Sequence, residues 1–235
     1  MTTVESAPAV DDFDVSSVIR SDRVHGTVYT SADIFRREMD SIFKTGWVYV
    51  AHESEVSEPG DYLTRMIGHD PVVVARGKDG VVRVVLNRCT HRANKLCNAE
   101  KGNANSFRCP YHGWTFSNTG ALQGVPMREG YGEAFNKVRA ELGLAQAPRV
   151  DSYGGFVFAS LAAEGISLPE HLDKATRAID RLLNLSPTRE IDLRANWMKH
   201  LHHANWKMVV ENNVDGYHAL FTHASVYDAI KPAKV

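Results

Sequence analysis

The chain has 235 residues, of which 43% are hydrophobic and 23% charged, as in an ordinary globular protein. Its 27 basic and 28 acidic side chains nearly cancel, so the composition does not suggest a nucleic-acid-binding or membrane-surface protein, since both need a concentrated basic patch. No apolar run approaches the roughly 18 residues that span a bilayer. The acidic start does not resemble a signal peptide, and the odd number of cysteines favours metal binding over a disulfide framework. We therefore expect a cytoplasmic protein.

The first predicted element is an amphipathic helix over residues 30–45, in which Thr30 and Asp33 have capping-box spacing. From residue 46 to residue 160 the sequence consists of short apolar runs separated by turn residues, a pattern typical of a small antiparallel β-domain. Within it, Asp79-Gly80 lies between two valine-rich runs and predicts a hairpin.

Helical periodicity returns at Ser167, where Ser167 and Glu170 form a second capping box and Pro169 suits the first turn. A strand-like stretch over residues 190–203 follows. A further helix is predicted over residues 205–218.

Two short motifs dominate the middle of the chain: Cys89-Thr-His91 and Cys109-Pro-Tyr-His112. Each combines a soft thiolate with a borderline imidazole. A Rieske [2Fe–2S] cluster needs this set, because two thiolates hold one iron and two imidazoles hold the other. A structural Cys2His2 zinc site is the alternative, but zinc sites usually pair like with like, so the mixed order favours the cluster.

Around these motifs the chain resembles the large (α) subunits of bacterial aromatic-ring-hydroxylating Rieske non-haem iron oxygenases. The matching stretches are residues 87–92 (NRCTHR) and 107–114 (FRCPYHGW). Arg92 resembles the oxygenase branch of Rieske proteins rather than the respiratory branch. Cys97 has no partner in the second motif and is predicted to be a buried, inert thiol. Ala93 departs from the family, which usually has glycine there.

A second motif combines Asp215, His218 and His223 near the end of a predicted helix. On a continuous helix the two histidines would diverge by about 140°. The helix must therefore end or bend between them if both are to bind one metal. Non-haem Fe(II) oxygenases bind iron with two histidines and one carboxylate, but a histidine pair at a helix end is by itself more often structural.

The resemblance to the oxygenase family extends over residues 205–218 and assigns roles within this motif. It implies that His218 and His223 bind the mononuclear iron and that Asp215 is the aspartate that links the two metal sites across neighbouring subunits. Asn212 resembles a polar residue close to the iron. The family's third ligand is an aspartate far beyond the second histidine, and Asp228 does not match its position. The sequence is thus interpreted as the N-terminal part of a longer subunit.

The predicted fold class is α+β, with an antiparallel Rieske domain at residues 46–160 inserted into an incomplete helix-plus-sheet catalytic domain. Residues 1–45 and 161–235 supply the catalytic domain.

The resemblance implies an α subunit that performs cis-dihydroxylation of a small aromatic substrate with O2. NADH would supply electrons through a separate reductase, with or without a ferredoxin. The implied cofactors are the cluster and a mononuclear Fe(II), and the implied assembly is an α trimer, with β subunits in many members. A Rieske monooxygenase and a ferredoxin-like electron carrier are the alternatives, and no nucleic-acid or membrane partner is expected.

Two further groups of residues have weaker interpretations. His200, His202 and His203 would lie in a strand with only the first two on one face, which does not favour a third metal site. Basic residues surround the two cluster motifs and are either a solvated rim or a docking patch for an acidic electron donor. They are Arg88, Arg92, Lys95, Lys101 and Arg108.

Overall fold

The computed structural model describes residues 15–194 and 198–230. The chain divides into two compact units, one formed by residues 37–197 and the other by the segments before and after it. The chain thus has a β-rich unit inserted between two segments of a second unit, and the α+β fold class is confirmed.

In its described residues, the β-rich unit contains ten strands in three antiparallel sheets. The first sheet has the order β1-β10-β9, with β1 Val48–His52, β9 Arg149–Tyr153 and β10 Phe156–Ser160. The second has the order β4-β3-β2-β5, with β2 Asp61–Ile67, β3 Asp70–Arg76, β4 Val82–Leu86 and β5 Lys101–Asn103. The third has the order β6-β7-β8, with β6 Ser106–Arg108, β7 Thr115–Ser117 and β8 Leu122–Gly124.

The predicted hairpin joins β3 and β4, which pair antiparallel from Val72 with Leu86 to Arg76 with Val82. Gly80 lies in the turn with φ +78°, a conformation in which glycine has no side-chain penalty. Three valines of β3 and two of β4 are fully buried: Val72, Val73, Val74, Val84 and Val85. Val73 and Val85 pack in the same core cluster as Cys89 and Cys109, and the other three pack in a second cluster.

The helices before the first strand are shorter than predicted. The helix expected over residues 30–45 is α2 Ala32–Glu38, preceded by α1 Thr27–Thr30 and followed by a π-helical turn, Met39–Phe43. Its first turn is capped by Ser31, whose Oγ accepts from the Ile34 N–H, so the predicted cap at Thr30 is wrong by one residue. A short helix that was not predicted, α3 Gly132–Val138, follows the third sheet.

The second predicted capping box is confirmed: Ser167 Oγ accepts from the Glu170 N–H, and the Glu170 carboxylate accepts from the Ser167 N–H. The helix it begins is divided into α4 Leu168–Leu172 and α5 Ala175–Leu183, because Asp173 adopts φ +39° and ends the first part.

The strand expected over residues 190–203 is wrong wherever that stretch is described, and residues 195–197 lie outside the described residues. Local contacts replace a ladder there. The Arg194 guanidinium donates to the Asp192 carboxylate at 2.7 Å, and the Leu193 N–H donates to Ser54 Oγ at 3.0 Å.

Apart from an isolated β-bridge between Ile19 and Val24, the regular structure in the described part of the second unit is helical, with α1 and most of α2 before the insertion. After the insertion it contains α6 Trp206–Val214, α7 Ala219–Thr222 and α8 Ala224–Ile230. Asn205 caps α6, and its amide donates to the Tyr29 carbonyl at 3.2 Å, while Tyr29 Oη donates to Glu211 at 2.7 Å. All helices in the described residues are too short and too polar to cross a membrane.

Candidate metal centres

The two cysteine loops of the β-rich unit have the same backbone hydrogen-bond pattern. In the first loop the Cys89 N–H donates to the Asn94 carbonyl at 2.9 Å, and the Ala93 N–H donates to the Cys89 carbonyl at 2.8 Å. In the second loop Cys109 is bonded to Trp114 and Gly113 in the same way, at 2.7 and 2.9 Å. The first loop follows the end of β4, and the second follows the end of β6. The two cysteines therefore begin equivalent turns.

Both turns require a left-handed residue four positions after the cysteine. Gly113 has φ +73° and Ala93 has φ +55°. Glycine adopts this conformation freely, whereas a residue with a Cβ is strained there. The departure from the family pattern at Ala93 therefore lies at a position where the backbone favours glycine.

The loops bring the two predicted cysteine ligands next to each other, and likewise the two predicted histidine ligands, with the thiols buried and the imidazoles more exposed. Cys89 and Cys109 are each 2% exposed, and their thiols lie within hydrogen-bonding distance of each other. His91 is half-buried and His112 is exposed, and their ring centroids are 4.6 Å apart. The two loops thus supply a buried pair of soft donors and a more exposed pair of imidazoles.

The two thiols differ in acidity. Burial raises the pKa of the Cys89 thiol, and backbone hydrogen bonds from the loop only partly oppose this effect. Burial also raises the pKa of the Cys109 thiol, but backbone N–H groups of Tyr111 and His112 outweigh it, so its pKa lies below the ordinary value. The Asn94 amide adds a contact to Cys109 Sγ at 3.9 Å. Donors directed at sulfur favour the thiolate, which is the form that binds metal.

The donor set fits a Rieske cluster. Nδ1 of His91 is buried without a hydrogen-bond partner among the described residues. An orphaned buried nitrogen is costly unless another group, such as a metal, uses its lone pair. Among the described residues, no group of three or more His, Cys, Asp or Glu side chains is placed to hold a metal ion. A two-iron cluster takes two protein ligands per iron, so the paired arrangement suits it.

Sequence reasoning missed two residues that support these loops. Asn87 is fully buried, and its side chain bonds the backbone of Leu96 and Cys97, which closes the first loop. Trp114 stacks on His91, with ring centroids 4.9 Å apart and planes 6° apart. The only signal for either residue is its proximity to a ligand in the motifs NRCTHR and CPYHGW.

The motif that contains Asp215, His218 and His223 lies in the helical unit, directly after the end of α6. The predicted helix over residues 205–218 is wrong at its C-terminal end, because Asp215 adopts an extended conformation and α6 stops at Val214. Asp215 Oδ1 accepts from the Tyr217 N–H at 2.8 Å, which turns the chain before His218.

This turn brings the predicted metal ligands together. His218 and His223 flank the short helix α7, and their ring centroids are 5.4 Å apart. Nδ1 of His218 lies 3.2 Å from Asp215 Oδ2. The prediction that the helix ends or bends between the two histidines is wrong, because the chain breaks before His218 and is helical between them.

In the part of the chain that the structure describes, no side-chain hydrogen bond or ion pair links the remaining candidate residues to this histidine pair. Asn212 is exposed in the last turn of α6, and Asp228 lies in α8. His200 and His202 stack with ring centroids 6.1 Å apart, but they lie outside any strand, so the predicted alternation of their faces is wrong.

Both loops lie inside residues 46–146, which match the profile of the Rieske [2Fe-2S] domain, so the class of the protein is that of Rieske iron–sulfur proteins. Residues 180–234 match the ring hydroxylating alpha subunit (catalytic domain). The chain therefore belongs to the Rieske non-haem iron ring-hydroxylating oxygenase α-subunit family. The cofactors of this family are a Rieske cluster and a mononuclear iron.

Individual relatives agree with this assignment. The chain is 37% identical to the 2-halobenzoate 1,2-dioxygenase large subunit of Burkholderia cepacia, over 89% of this chain and 46% of the relative. It is 39% identical to the N,N-dimethyl phenylurea N-demethylase subunit alpha of Sphingobium sp. (strain YBL2), over 85% and 43%. The crystal structure of naphthalene 1,2-dioxygenase from Rhodococcus sp. bound to indole superposes with a TM-score of 0.80 at 36% identity, over 93% and 48%. The chain spans about half the length of the relatives it matches.

Proposed function

We propose that this chain supplies the electron-transfer centre and two iron ligands of an aromatic-ring-hydroxylating oxygenase α subunit. In this proposal Cys89 and Cys109 bind one iron of the Rieske cluster, and His91 and His112 bind the other. The observation that carries the proposal is that the same two loops contain a buried thiol pair and an adjacent imidazole pair, one member of which has an orphaned buried nitrogen.

His218 and His223 are proposed as ligands of the mononuclear iron. When bound, the cluster supplies single electrons and the mononuclear iron supplies a site for O2. Asp215 accepts a hydrogen bond from Nδ1–H of His218, at 3.2 Å. This bond holds the proton on Nδ1 and leaves the Nε2 lone pair free to bind metal. Asp215 is also the proposed link between a cluster histidine of one subunit and His218 of the next, and Asn212 is proposed to lie close to the iron.

The proposed reaction of the whole protein is cis-dihydroxylation of an aromatic ring. NADH would be oxidised by a separate reductase that delivers electrons directly or through a ferredoxin. The name of the Burkholderia relative, a 2-halobenzoate 1,2-dioxygenase large subunit, supports an aromatic acid as the substrate class. Preferred turnover of an unsubstituted hydrocarbon over its carboxylated analogue would contradict that substrate class.

A monooxygenase is the second candidate, because an N-demethylase α subunit is as similar to this chain as the dioxygenase is. Turnover under ¹⁸O2 separates the two reactions. A dioxygenase places two labelled oxygen atoms in the product, whereas a hydroxylase or demethylase transfers one. The catalytic-domain match at residues 180–234 argues against a simple electron carrier, which has no use for a second iron site.

The first experiment is an EPR spectrum of the anaerobically purified, dithionite-reduced protein, with iron and zinc measured on the same sample. The rhombic, low-average-g signal of mixed Cys/His ligation is expected. A complete oxygenase subunit should contain about three irons, and a carrier about two. A silent spectrum with one zinc per chain would show that the four ligands are structural, and the oxygenase proposal would fail.

A further inference from the structure

His91 and His112 differ in how the protein holds them. The His91 imidazole lies parallel to the Trp114 indole, with ring centroids 4.9 Å apart and an interplanar angle of 6°. His112 instead contacts the exposed ring of Tyr111, at 4.1 Å and a tilt of 41°. One predicted ligand therefore lies on a buried aromatic surface, and the other lies on a side chain in solvent.

The Trp114 indole is itself held rigidly. It is 4% exposed, and its carbonyl accepts the hydrogen bond from Cys109 N–H that closes the second loop. Phe135 and Tyr131 contact it nearly edge-on, at ring-centroid distances of 6.1 and 6.3 Å. Both residues come from the segment that contains α3, so this segment fixes the indole from outside the cysteine loops.

The orientation of a ligating imidazole is usually fixed by a hydrogen bond from its second nitrogen to a carboxylate or carbonyl. At His91 the buried Nδ1, which has no hydrogen-bond partner in the part of the chain that the structure describes, is the nitrogen available to bind iron, and the aromatic stack constrains the ring plane. A stacked ring cannot tilt about its Cβ–Cγ bond without losing contact with the indole. The plane of the indole thus determines the plane of the imidazole.

We propose that Trp114 is a positioning residue that fixes the imidazole plane of His91 and thereby sets the g-tensor and the reduction potential of the cluster. The inference rests on the proposed function only in taking His91 as a cluster ligand. Hydrogen bonds and burial around cluster ligands are known determinants of potential, and here a stacked indole provides both the burial and the orientation on the His91 side.

The test compares Trp114→Leu, which removes the aromatic face, with Trp114→Phe, which keeps a smaller one. Phe116→Leu is the matched control, because Phe116 is fully buried in β7, two residues after Trp114, with its ring 6.4 Å from the indole, and it is not the ring stacked on His91. All variants are purified anaerobically with their cluster, and spectra and potentials are normalised to cluster content.

Trp114→Leu is expected to shift both the EPR g-values and the midpoint potential, with Trp114→Phe between it and the parent protein. Phe116→Leu is expected to match the parent in both readouts, even where it lowers thermal stability. If Trp114→Leu takes up the cluster and keeps the parental spectrum and potential, the proposal is overturned. If Trp114→Leu takes up no cluster, a parental spectrum and potential in Trp114→Phe overturn it. These results leave the ligand assignment untouched, because that assignment fails only if the parent protein itself shows no cluster signal.

Discussion

The side chain of Asn87 pairs with both backbone groups of Cys97. Its Oδ1 accepts from the Cys97 N–H and its Nδ2 donates to the Cys97 carbonyl, each at 2.8 Å, and Oδ1 also accepts from the Leu96 N–H at 3.1 Å. Asn87 is fully buried at the end of β4, two residues before the first cluster cysteine. It therefore fastens the far end of the first loop to the strand that begins it.

Replacement of Asn87 by alanine should destabilise the β-rich unit by about 2–4 kcal/mol, because it leaves buried backbone groups without partners. Cluster content after purification should fall with it. Asn118→Ala is the control, since Asn118 is also buried but its amide makes one bond, to the Arg76 carbonyl at 3.1 Å. Thermal unfolding and iron content measure both effects, and equal losses in the two variants would contradict a special role for Asn87.

Ala93→Gly should stabilise the first loop. Ala93 has φ +55°, and glycine removes the steric strain of this conformation. Glycine also makes the unfolded chain more flexible, which opposes the gain, so the free energy of unfolding should rise by about 0.5–1 kcal/mol. The thermal midpoint should rise at unchanged cluster content. Ala99→Gly is the control, because Ala99 is exposed and does not have a positive φ. This variant should lower the thermal midpoint.

The equivalent exchange in the second loop has the opposite sign. Gly113→Ala should destabilise by more than about 1 kcal/mol, because φ is +73° and the new Cβ would lie 3.0 Å from Pro126 Cγ. If Ala93→Gly lowers stability, or Gly113→Ala is neutral, the two turns are not equivalent as their hydrogen bonds indicate.

The three thiols should respond differently to substitution, although all are buried. Cys97→Ala should keep the full cluster signal and lose about 1 kcal/mol from the small cavity, because its Sγ contacts the Ala99 carbonyl rather than the cluster pair. Cys89→Ala should abolish the signal. Iron content and EPR amplitude distinguish the cases, and loss of signal in Cys97→Ala would show that its predicted inert role is wrong.

The sequence predicted the features that depend on local spacing. The Ser167–Glu170 capping box and the Asp79-Gly80 hairpin are confirmed because each is determined by residues a few positions apart. The stacking of Trp114 on His91 could not be predicted, since it depends on how two separate loops meet in space. The three-residue strands β5, β6 and β8 are too short to show a period of two.

The wrong end of α6 illustrates the competition between periodicity and turn chemistry. Apolar spacing continues through residues 205–218, but the Asp215 side chain accepts from the Tyr217 N–H and replaces the helical bond. The Asp-Gly pair at residues 215–216 was the available signal for this turn. The two histidines then flank α7, which the sequence alone could not specify.

Asp215→Asn should weaken Fe(II) binding at the His218 site by about 10- to 100-fold, since an amide is a poorer acceptor for Nδ1–H. Glu211→Gln is the control, because Glu211 lies in the same helix and accepts from Tyr29 Oη instead. Fe(II) titration of the protein with its cluster in place measures the change. Equal affinity in Asp215→Asn and the parent would contradict the orienting role of Asp215.

The ionisation of Asp215 determines how the difference in Fe(II) affinity between the parent and Asp215→Asn depends on pH. The backbone N–H of Tyr217, more than His218, holds the pKa of the Asp215 carboxyl below its ordinary value. The carboxylate thus stays ionised as the pH falls through about 4, where free aspartate protonates. Asp215 is therefore ionised at every pH at which neutral imidazoles can bind Fe(II), so the ratio of the parent's affinity to that of Asp215→Asn should not change with pH over that range.

Electron delivery to the cluster should depend on salt if the basic residues around the loops bind an acidic donor. Arg88 pairs with Asp70, so its charge is locally balanced, whereas Arg92 is exposed and lies over the Tyr111 ring at 5.9 Å. Arg92→Glu should slow the bimolecular reduction of the cluster by on the order of 10-fold at low ionic strength, with the difference fading as salt screens the charges. Arg181→Glu, an exposed arginine on α5, should have little effect. Reduction rates by the reductase or ferredoxin that do not change with salt, and do not change in Arg92→Glu, would show that the basic rim is only solvated surface.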